Sequence, residues 1–124
     1  GYLQPTQIQS EVIPYLLKED RKDLVALAQT GSGKTAAFGI PLAEKLDPKS
    51  DRVQALILSP TRELAAQIQD TLRPLLESVG LRTMTIYGGQ SYTDQKDKIR
   101  RRPHIVIATP GRLVDLLGQR SLDL

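Results

Sequence analysis

A glycine-rich turn followed by a Lys-Thr pair is the part of this chain whose residue types suit chemistry on a phosphate. The turn, residues 29–35, follows the apolar run 24–28 and precedes an alanine-rich segment, residues 36–46. A short unbroken apolar run is typical of a buried strand of a parallel sheet, and the alanine-rich segment indicates a helix. Unpaired N–H groups at the start of that helix, together with the helix dipole, would attract a phosphate.

Individual residues of this turn have separate roles in the predicted phosphate cradle. Gly31 and Gly33 let the backbone bend around a phosphate without a Cβ in the way. Lys34 would reach the terminal phosphates of a nucleotide, and the Thr35 hydroxyl would bind Mg²⁺. Ala28 stands where the general pattern has glycine, so the match is not strict. The alternative is a flexible glycine turn before an ordinary helix.

Length and composition exclude several classes of protein. With 124 residues the chain is at most one domain, and because it begins at Gly1 rather than Met we expect it to be a piece of something longer. The net charge of +3 is too small to indicate a nucleic-acid binder by itself. The chain has no Cys and one His, which excludes disulfides and zinc sites. No apolar run approaches the roughly 20 residues of a membrane span, so we expect a soluble, intracellular, cytoplasmic protein.

Predicted strands alternate with predicted helices along the chain. We predict strands over residues 24–28, 53–59, 81–87 and 104–108, and helices over 36–46, 60–79, part of 92–102, and 109–117. Apolar residues at helical spacing from Ile8 to Leu17 predict a further helix before these. Thr6 is a candidate N-cap and Gly80 a C-terminal stop. Pro14 should bend or divide the first helix, and Pro74 should kink or break the long one. This alternation predicts an α/β fold, a parallel β-sheet with helices on both faces.

Four turns that suit ligand binding all follow predicted strands. They comprise residues 29–35, 60–63, 88–89 and 109–112. Because the carboxyl ends of parallel strands meet at one edge of the sheet, these turns should lie together where ligands bind in such folds.

Taken in order, these segments resemble the N-terminal RecA-like core domain of the DEAD-box ATP-dependent RNA helicases, a P-loop NTPase domain. Residues 1–9 resemble the Q motif of that family, and residues 28–35 its motif I, or Walker A loop, whose usual first residue is Ala. Residues 60–65 resemble motif Ia, Gly88-Gly89 the GG doublet, and residues 109–113 motif Ib. The resemblance covers nearly the whole chain and implies ATP, Mg²⁺ and RNA as ligands.

The resemblance implies which residues bind ATP. Gln9 would hydrogen-bond the adenine edge, since a carboxamide offers a donor and an acceptor that match adenine and not guanine. Residue type alone would instead favour a surface glutamine. Lys34 and Thr35 would act in catalysis, with Thr35 as the Mg²⁺ ligand. The implied ATP-binding set is Gln4, Gln9, Ala28, Gln29, Thr30, Gly31, Ser32, Gly33, Lys34 and Thr35.

The resemblance also implies an RNA path along the remaining turns. Backbone amides, hydroxyls and guanidinium groups bind phosphates without reading sequence. The alternatives are that Thr61 and Thr109 cap the helices they precede, and that Arg62 and Arg112 form surface salt bridges, for example to Glu63. The implied RNA-binding set is Pro60, Thr61, Arg62, Glu63, Gly88, Gly89, Thr109, Pro110, Gly111 and Arg112.

Other conspicuous residues receive structural interpretations. The basic cluster Lys96, Lys98, Arg100, Arg101 and Arg102 is interpreted as a solvated face rather than an RNA contact. We expect His104 to be packed or satisfied locally, without a functional role. Tyr87 is interpreted as a core residue rather than a base-stacking platform.

The Asp-Glu-Ala-Asp tetrad that names the family does not occur in these 124 residues. The resemblance therefore implies that residues 1–124 are the front part of core domain 1, truncated before that motif, and that the second core domain is absent. We expect this chain alone not to hydrolyse ATP. Two alternatives stay open: a P-loop NTPase of another class, such as a nucleotide kinase or a DNA motor, and a folded remnant without activity.

Overall fold

The computed structural model describes residues 6–17, 33–89 and 91–118 of the chain. The predicted strand over 24–28 lies outside these ranges. The described elements follow one another as α1 (Gln7–Leu17), α2 (Lys34–Lys45), β1 (Ala55–Leu58), α3 (Arg62–Ser78), β2 (Thr83–Ile86), α4 (Tyr92–Arg100), β3 (Ile105–Ala108) and α5 (Pro110–Gly118). Each observed strand falls inside a predicted one and is shorter by one to three residues at its ends.

The three strands form one parallel sheet in the order β1-β3-β2. Ile105 lies beside Ala55 of β1 and Thr83 of β2, and the register continues without a bulge to Ala108. A parallel neighbour needs a crossover connection, which α3 and α4 supply. The parallel sheet predicted from the alternation of elements is confirmed.

The central strand β3 is buried on both faces because helices cover each of them. Ile105 and Ile107 pack in a cluster with Leu72 and Leu76 of α3, and side chains of α2 extend this cluster. On the other face, Val106 packs in a second cluster to which α5 contributes Leu113 and Leu116. Burying one such aliphatic side chain is worth about 1.5–3 kcal/mol. The prediction of helices on both faces is confirmed.

Strand β1 is buried on one face only. Ala55 and Ile57 pack against the α3 cluster, whereas Leu56 and Leu58 are 38% and 56% exposed. Within the described residues, β1 pairs with β3 and with no strand on its other side.

The predicted division of the first helix at Pro14 and the predicted break of the long helix at Pro74 were wrong. Pro14 lies inside α1 and Pro74 inside α3, and each helix continues through its proline. A helical proline removes the N–H that would bond the carbonyl four residues earlier. Those carbonyls belong to Ser10 and Asp70, both exposed, so that water can hydrogen-bond them in place of the missing donor.

The long helix ends at the predicted glycine. Gly80 has φ +84°, a conformation that costs a residue without Cβ nothing. Its N–H donates to the Glu77 carbonyl at 3.0 Å, and the Leu81 N–H donates to the Leu76 carbonyl at 2.9 Å. This pair of bonds is a Schellman motif, and Leu76 and Leu81 supply its hydrophobic contact.

His104 joins three segments at the amino ends of the strands. It is fully buried, its Nδ1 accepts from the Arg82 N–H at 2.8 Å, and its Nε2 lies 2.8 Å from the Ser50 carbonyl oxygen. Accepting at Nδ1 assigns the proton to Nε2, which donates to Ser50. His104 is therefore packed and satisfied, as predicted, but by residues 22 and 54 positions away rather than by near neighbours.

Candidate functional site

The turns that follow the three strands begin level with one another at the carboxyl edge of the sheet. The Ser59 N–H donates to the Ala108 carbonyl at 2.9 Å, and the Thr109 N–H donates to the Ile86 carbonyl at 2.9 Å. These bonds extend the sheet ladder one residue past the strands. Backbone hydrogen bonds therefore hold the starts of the turns predicted to bind RNA side by side at this edge.

The turn after β1 leads directly into the N-terminus of α3. Thr61 is the N-cap of this helix, and its hydroxyl accepts from the Leu64 N–H at 3.2 Å. The capping interpretation of Thr61 is therefore confirmed, and it is compatible with phosphate binding because a helix N-terminus attracts anions.

Arg62 and Glu63 form a surface ion pair at the same helix end. Arg62 Nε donates to Glu63 Oε1 at 3.1 Å, with side chains 63% and 67% exposed. The pKa of the Glu63 carboxyl is lowered, first by a hydrogen bond from its own backbone N–H and then by the hydrogen bond from Arg62. An ion pair so exposed contributes little to stability, so Arg62 can exchange this carboxylate for a phosphate at small cost.

The turn after β2 lies against Arg62. A Cβ built on Gly89 would stand 3.2 Å from Arg62 Nη1. The structure therefore brings together the Gly88-Gly89 doublet and the 60–63 turn, which the sequence separates by more than 20 residues.

The turn after β3 is connected to the turn after β2 through a buried side chain that sequence analysis missed. Gln95 of α4 is fully buried; its Oε1 accepts from Arg112 Nη1 at 3.1 Å and its Nε2 donates to the Tyr87 carbonyl at 2.9 Å. Tyr87 packs against the α3 cluster, as predicted. The available sequence signal for Gln95 was weak: it lies one helical turn before Ile99, the aliphatic residue of α4 that packs on the sheet.

Of the predicted phosphate cradle, the structure describes Gly33, Lys34 and Thr35, while Gln4 and residues 28–32 lie outside the described ranges. Gly33 is the N-cap of α2 with φ +88°, and its carbonyl accepts from the Ala37 N–H at 3.1 Å. Lys34, the first residue of α2, is exposed. A lysine and a threonine therefore stand at a helix N-terminus, the arrangement that the cradle requires.

Gln9 reaches this glycine from α1. Its Nε2 donates to the Gly33 carbonyl at 3.4 Å, and its Oε1 accepts from the Thr6 N–H at 3.0 Å. The Gln9 N–H in turn bonds the Thr6 hydroxyl, which completes a capping box and confirms Thr6 as an N-cap. Gln9 is 2% exposed, so it is not the surface glutamine that residue type alone would favour.

One cleft of about 610 Å³ joins the described cradle residues to the turn after β1. Gly33, Lys34 and Thr35 line one side, and Ser59 and Pro60 line the other. The doublet 88–89 and the turn 109–112 do not line it. Pro60 of the predicted RNA-binding set therefore shares this cleft with the described cradle residues, whereas the doublet and the turn 109–112 lie elsewhere along the same edge.

Comparisons with known proteins show the family to which the chain belongs. A model of the DEAD/DEAH box helicase family matches residues 6–124. The chain belongs to this family. It is 44% identical to the DEAD-box ATP-dependent RNA helicase CshA of Bacillus licheniformis over 124 residues, all of this chain and 25% of that protein. It is also 46% identical to the ATP-dependent RNA helicase DeaD of Escherichia coli K12 over 125 residues, 20% of that protein.

Solved structures of DEAD-box proteins share the fold. A DEAD box protein from Methanococcus jannaschii superposes with a TM-score of 0.88 at 43% identity, over 97% of this chain and 32% of that one. The predicted RecA-like helicase domain is thereby confirmed. This DEAD-box chain spans a quarter or less of the length of the two curated relatives named above.

Among the residues that the structure describes, no group of three or more His, Asp or Glu side chains is placed to hold a metal ion. None of the described helices is long and apolar enough to cross a membrane.

The basic cluster of the DEAD-box chain lies largely in solvent. Lys98, Arg100, Arg101 and Arg102 are exposed, and Arg100 pairs with Asp97 at 3.3 Å. This exposure fits the solvated face that the sequence predicted.

Proposed function

We propose that this chain supplies the ATP-binding and part of the RNA-binding surface of the first core domain of an ATP-dependent RNA helicase, which remodels or unwinds RNA. The observation that carries the proposal is the cleft that joins Lys34 and Thr35 to Pro60, at the edge where the turns after all three strands begin. A nucleotide in this cleft would lie directly beside an RNA strand that follows those turns. If ATP binding and RNA binding are to influence each other, the two ligands must lie close together, as they would here.

ATP would be held by its phosphates at the start of α2 and by its base near Gln9. Lys34 supplies an exposed positive charge, and the α2 N-terminus adds backbone N–H groups and the helix dipole. The carboxamide of Gln9 has two donors and two acceptor lone pairs. Its bonds to Thr6 and Gly33 use one of each, which leaves one donor and one acceptor to match an adenine edge. The remaining proposed ATP ligands are Gln4 and residues 28–32.

Thr35 is the described residue that would hold Mg²⁺. Its hydroxyl is a hard oxygen ligand, the kind that Mg²⁺ prefers, on the first turn of α2 and in the wall of the cleft. When bound, the ion neutralises phosphate charge during phosphoryl transfer. Lys34 would act beside it on the same phosphates.

RNA would be bound through its backbone. Arg62 and Arg112 offer guanidinium groups, and the exposed glycines 88, 89 and 111 let a phosphate approach main-chain N–H groups closely. Such contacts carry no base preference, so RNA of any sequence should bind.

The 124-residue chain alone should not hydrolyse ATP. Hydrolysis of this type needs an acidic Mg²⁺ ligand, an oriented water and a cation that stabilises the transition state. An arginine finger by itself contributes about 10³–10⁵ in rate. Of these parts the chain offers Lys34 and Thr35, and the family tetrad that would supply acidic ligands does not occur in it.

Phosphate release measured with and without single-stranded RNA tests the proposal. The full-length protein should turn over ATP, respond to RNA and displace a duplex strand, whereas residues 1–124 should stay at background. Preference for GTP over ATP, or turnover indifferent to RNA, would support a P-loop NTPase of another class instead. RNA-stimulated turnover by residues 1–124 alone would show that the missing groups are not required.

A further inference from the structure

Gln95 connects two of the strand-end turns from inside the core. We propose that it is a positioning residue that holds the Arg112 guanidinium in a fixed relation to the Gly88-Gly89 turn, and so strengthens binding of the RNA backbone. This inference rests on the proposed function, because it concerns the same RNA path.

The burial of Gln95 makes its hydrogen bonds obligatory. Its side chain is 0% exposed, whereas glutamine is among the residues found mostly at protein surfaces. A buried carboxamide without partners is costly, so the side chain stays where both its ends are bonded. Its position is fixed by the helix α4 that carries it, whose Ile99 packs against the sheet.

The two bonds go to the two turns separately. Nε2 donates to the Tyr87 carbonyl at 2.9 Å, immediately before Gly88, and Oε1 accepts from Arg112 Nη1 at 3.1 Å. A backbone bond already sets the level of the two turns, from the Thr109 N–H to the Ile86 carbonyl. That backbone bond does not fix any side chain. Gln95 additionally fixes the Arg112 side chain relative to the Gly88-Gly89 doublet.

A fixed guanidinium binds a phosphate better than a mobile one. Arginine has a long side chain whose rotamers must be restricted on binding, and restriction before binding lowers that cost. The guanidinium carries five N–H donors in a planar fork, and the bond to Gln95 restrains the plane of the fork while using one of the five. Arg112 is half-buried on the first turn of α5, which places it at the same carboxyl edge as Gly89.

A purely structural role makes a different prediction from a positioning role. If Gln95 only stabilises the fold, its loss should weaken RNA binding whether or not Arg112 is present. If Gln95 acts through Arg112, its loss should have no further effect once the guanidinium has been removed. A double-mutant cycle separates the two.

The cycle uses the full-length protein and a fluorescent single-stranded RNA, with affinity read by anisotropy over a range of salt. Gln95→Met keeps the side-chain length and removes the hydrogen bonds to Tyr87 and Arg112. We expect it to weaken RNA binding about three- to tenfold, within the coupling range of residues in contact, and to change ATP affinity less than about twofold. In an Arg112→Ala background, Gln95→Met should cause no additional loss.

Gln69→Met is the matched control. Gln69 lies on α3 and its Nε2 donates to the Thr83 hydroxyl at 3.3 Å, at the opposite end of β2 from the doublet. This variant removes a glutamine hydrogen bond to the same strand and should leave RNA affinity unchanged. Thermal melts of all variants show how much each change destabilises the fold. Gln95→Asn, one methylene shorter, provides the same cycle where the Met variant does not fold.

The outcomes separate this inference from the function on which it rests. Equal losses from Gln95→Met in both backgrounds, or no loss in either, would overturn the positioning role alone, provided that Arg112→Ala weakens RNA binding. If Arg112→Ala leaves RNA affinity unchanged, the proposed RNA contact of Arg112 itself fails, and the positioning role fails with it.

Discussion

The cradle at the start of α2 and the turns at the strand ends are held in place by different kinds of contact. Gln9 reaches Gly33 between two helices by a 3.4 Å bond, near the outer limit for a hydrogen bond. The strand-end turns are fixed by 2.9 Å backbone bonds that continue the sheet. The described part of the proposed nucleotide site therefore depends on how α1 packs against α2, whereas the proposed RNA path depends on strand register.

This difference implies that the two regions can be damaged separately. Changes in the cradle should reduce ATP affinity and spare RNA binding measured without nucleotide. Changes at the strand ends should do the reverse. The following variants, all in the full-length protein, test that separation.

Lys34→Ala should have the largest effect, because it removes a positive charge from the phosphate site. Hydrogen bonds to charged groups are worth about 1.5–3 kcal/mol, so ATP affinity should fall about 10- to 100-fold. A fluorescent ATP analogue measures it by titration. Lys49→Ala, an equal charge change on the exposed loop after α2, is the control. Loss of RNA binding as large as the loss of ATP binding would contradict the separation.

Gly33→Ala should disrupt the contact between α1 and α2. A Cβ there would lie 2.6 Å from Gln9 Nε2 and 2.8 Å from Thr6 Oγ1, on a backbone with φ +88°. We expect a loss of about 1–3 kcal/mol in the free energy of unfolding, measured by urea denaturation, together with weaker ATP binding. In Gly118→Ala the new Cβ would meet nothing within 4 Å, so stability should change little. If Gly33→Ala and Gly118→Ala had equal effects on stability and ATP binding, Gly33 would not be part of the proposed cradle.

Arg62→Ala should weaken RNA binding by a similar factor for every RNA sequence. Losing one phosphate contact should reduce the slope of log affinity against log salt by about 0.7 for a single strand. Arg73→Ala is a matched control, since Arg73 lies on the same helix and pairs with Glu77 at 3.7 Å. Anisotropy with RNAs of different sequence gives both quantities. A sequence-dependent loss would indicate base recognition and contradict the backbone path.

Glu63→Gln should have the smallest effect and the opposite sign. The carboxylate that pairs with Arg62 competes with phosphate for the same guanidinium, so neutralising it should strengthen RNA binding, by about twofold or less for a pair this exposed. The gain should be largest at low salt. Glu77→Gln, which neutralises the partner of Arg73, should give no gain. Weaker RNA binding in Glu63→Gln would mean that the pair orients Arg62 rather than competing for it.

Much of the fold followed from local patterns, because short apolar runs and turn residues report directly on strands and their ends. The strand order β1-β3-β2 did not follow, since no periodicity records which strand lies in the centre. Pro14 and Pro74 do not end their helices, and the sequence does not show this because the exposure of Ser10 and Asp70, four residues earlier, is defined only in the folded structure.

The sequence predicts a candidate site to the extent that its residues form short contiguous motifs. Gln95 was not predictable in this way, because its partners Tyr87 and Arg112 are 8 and 17 residues distant. A polar residue in a polar helix shows its role only when burial is known. Gln9 was singled out by the resemblance of residues 1–9 to the Q motif, but its burial against Gly33 depends on the packing of α1 on α2 and did not follow from the sequence.

The His104 contacts have a consequence for the order in which the chain folds. One imidazole joins residues 50, 82 and 104, so its pocket closes only after two chain loops have closed, and loop closure over such separations is entropically costly. The Arg82 amide, bonded to that buried ring, cannot exchange its hydrogen with solvent while the pocket stays closed. Its exchange rate should therefore report the cooperative opening of the whole sheet rather than local fraying at the start of β2.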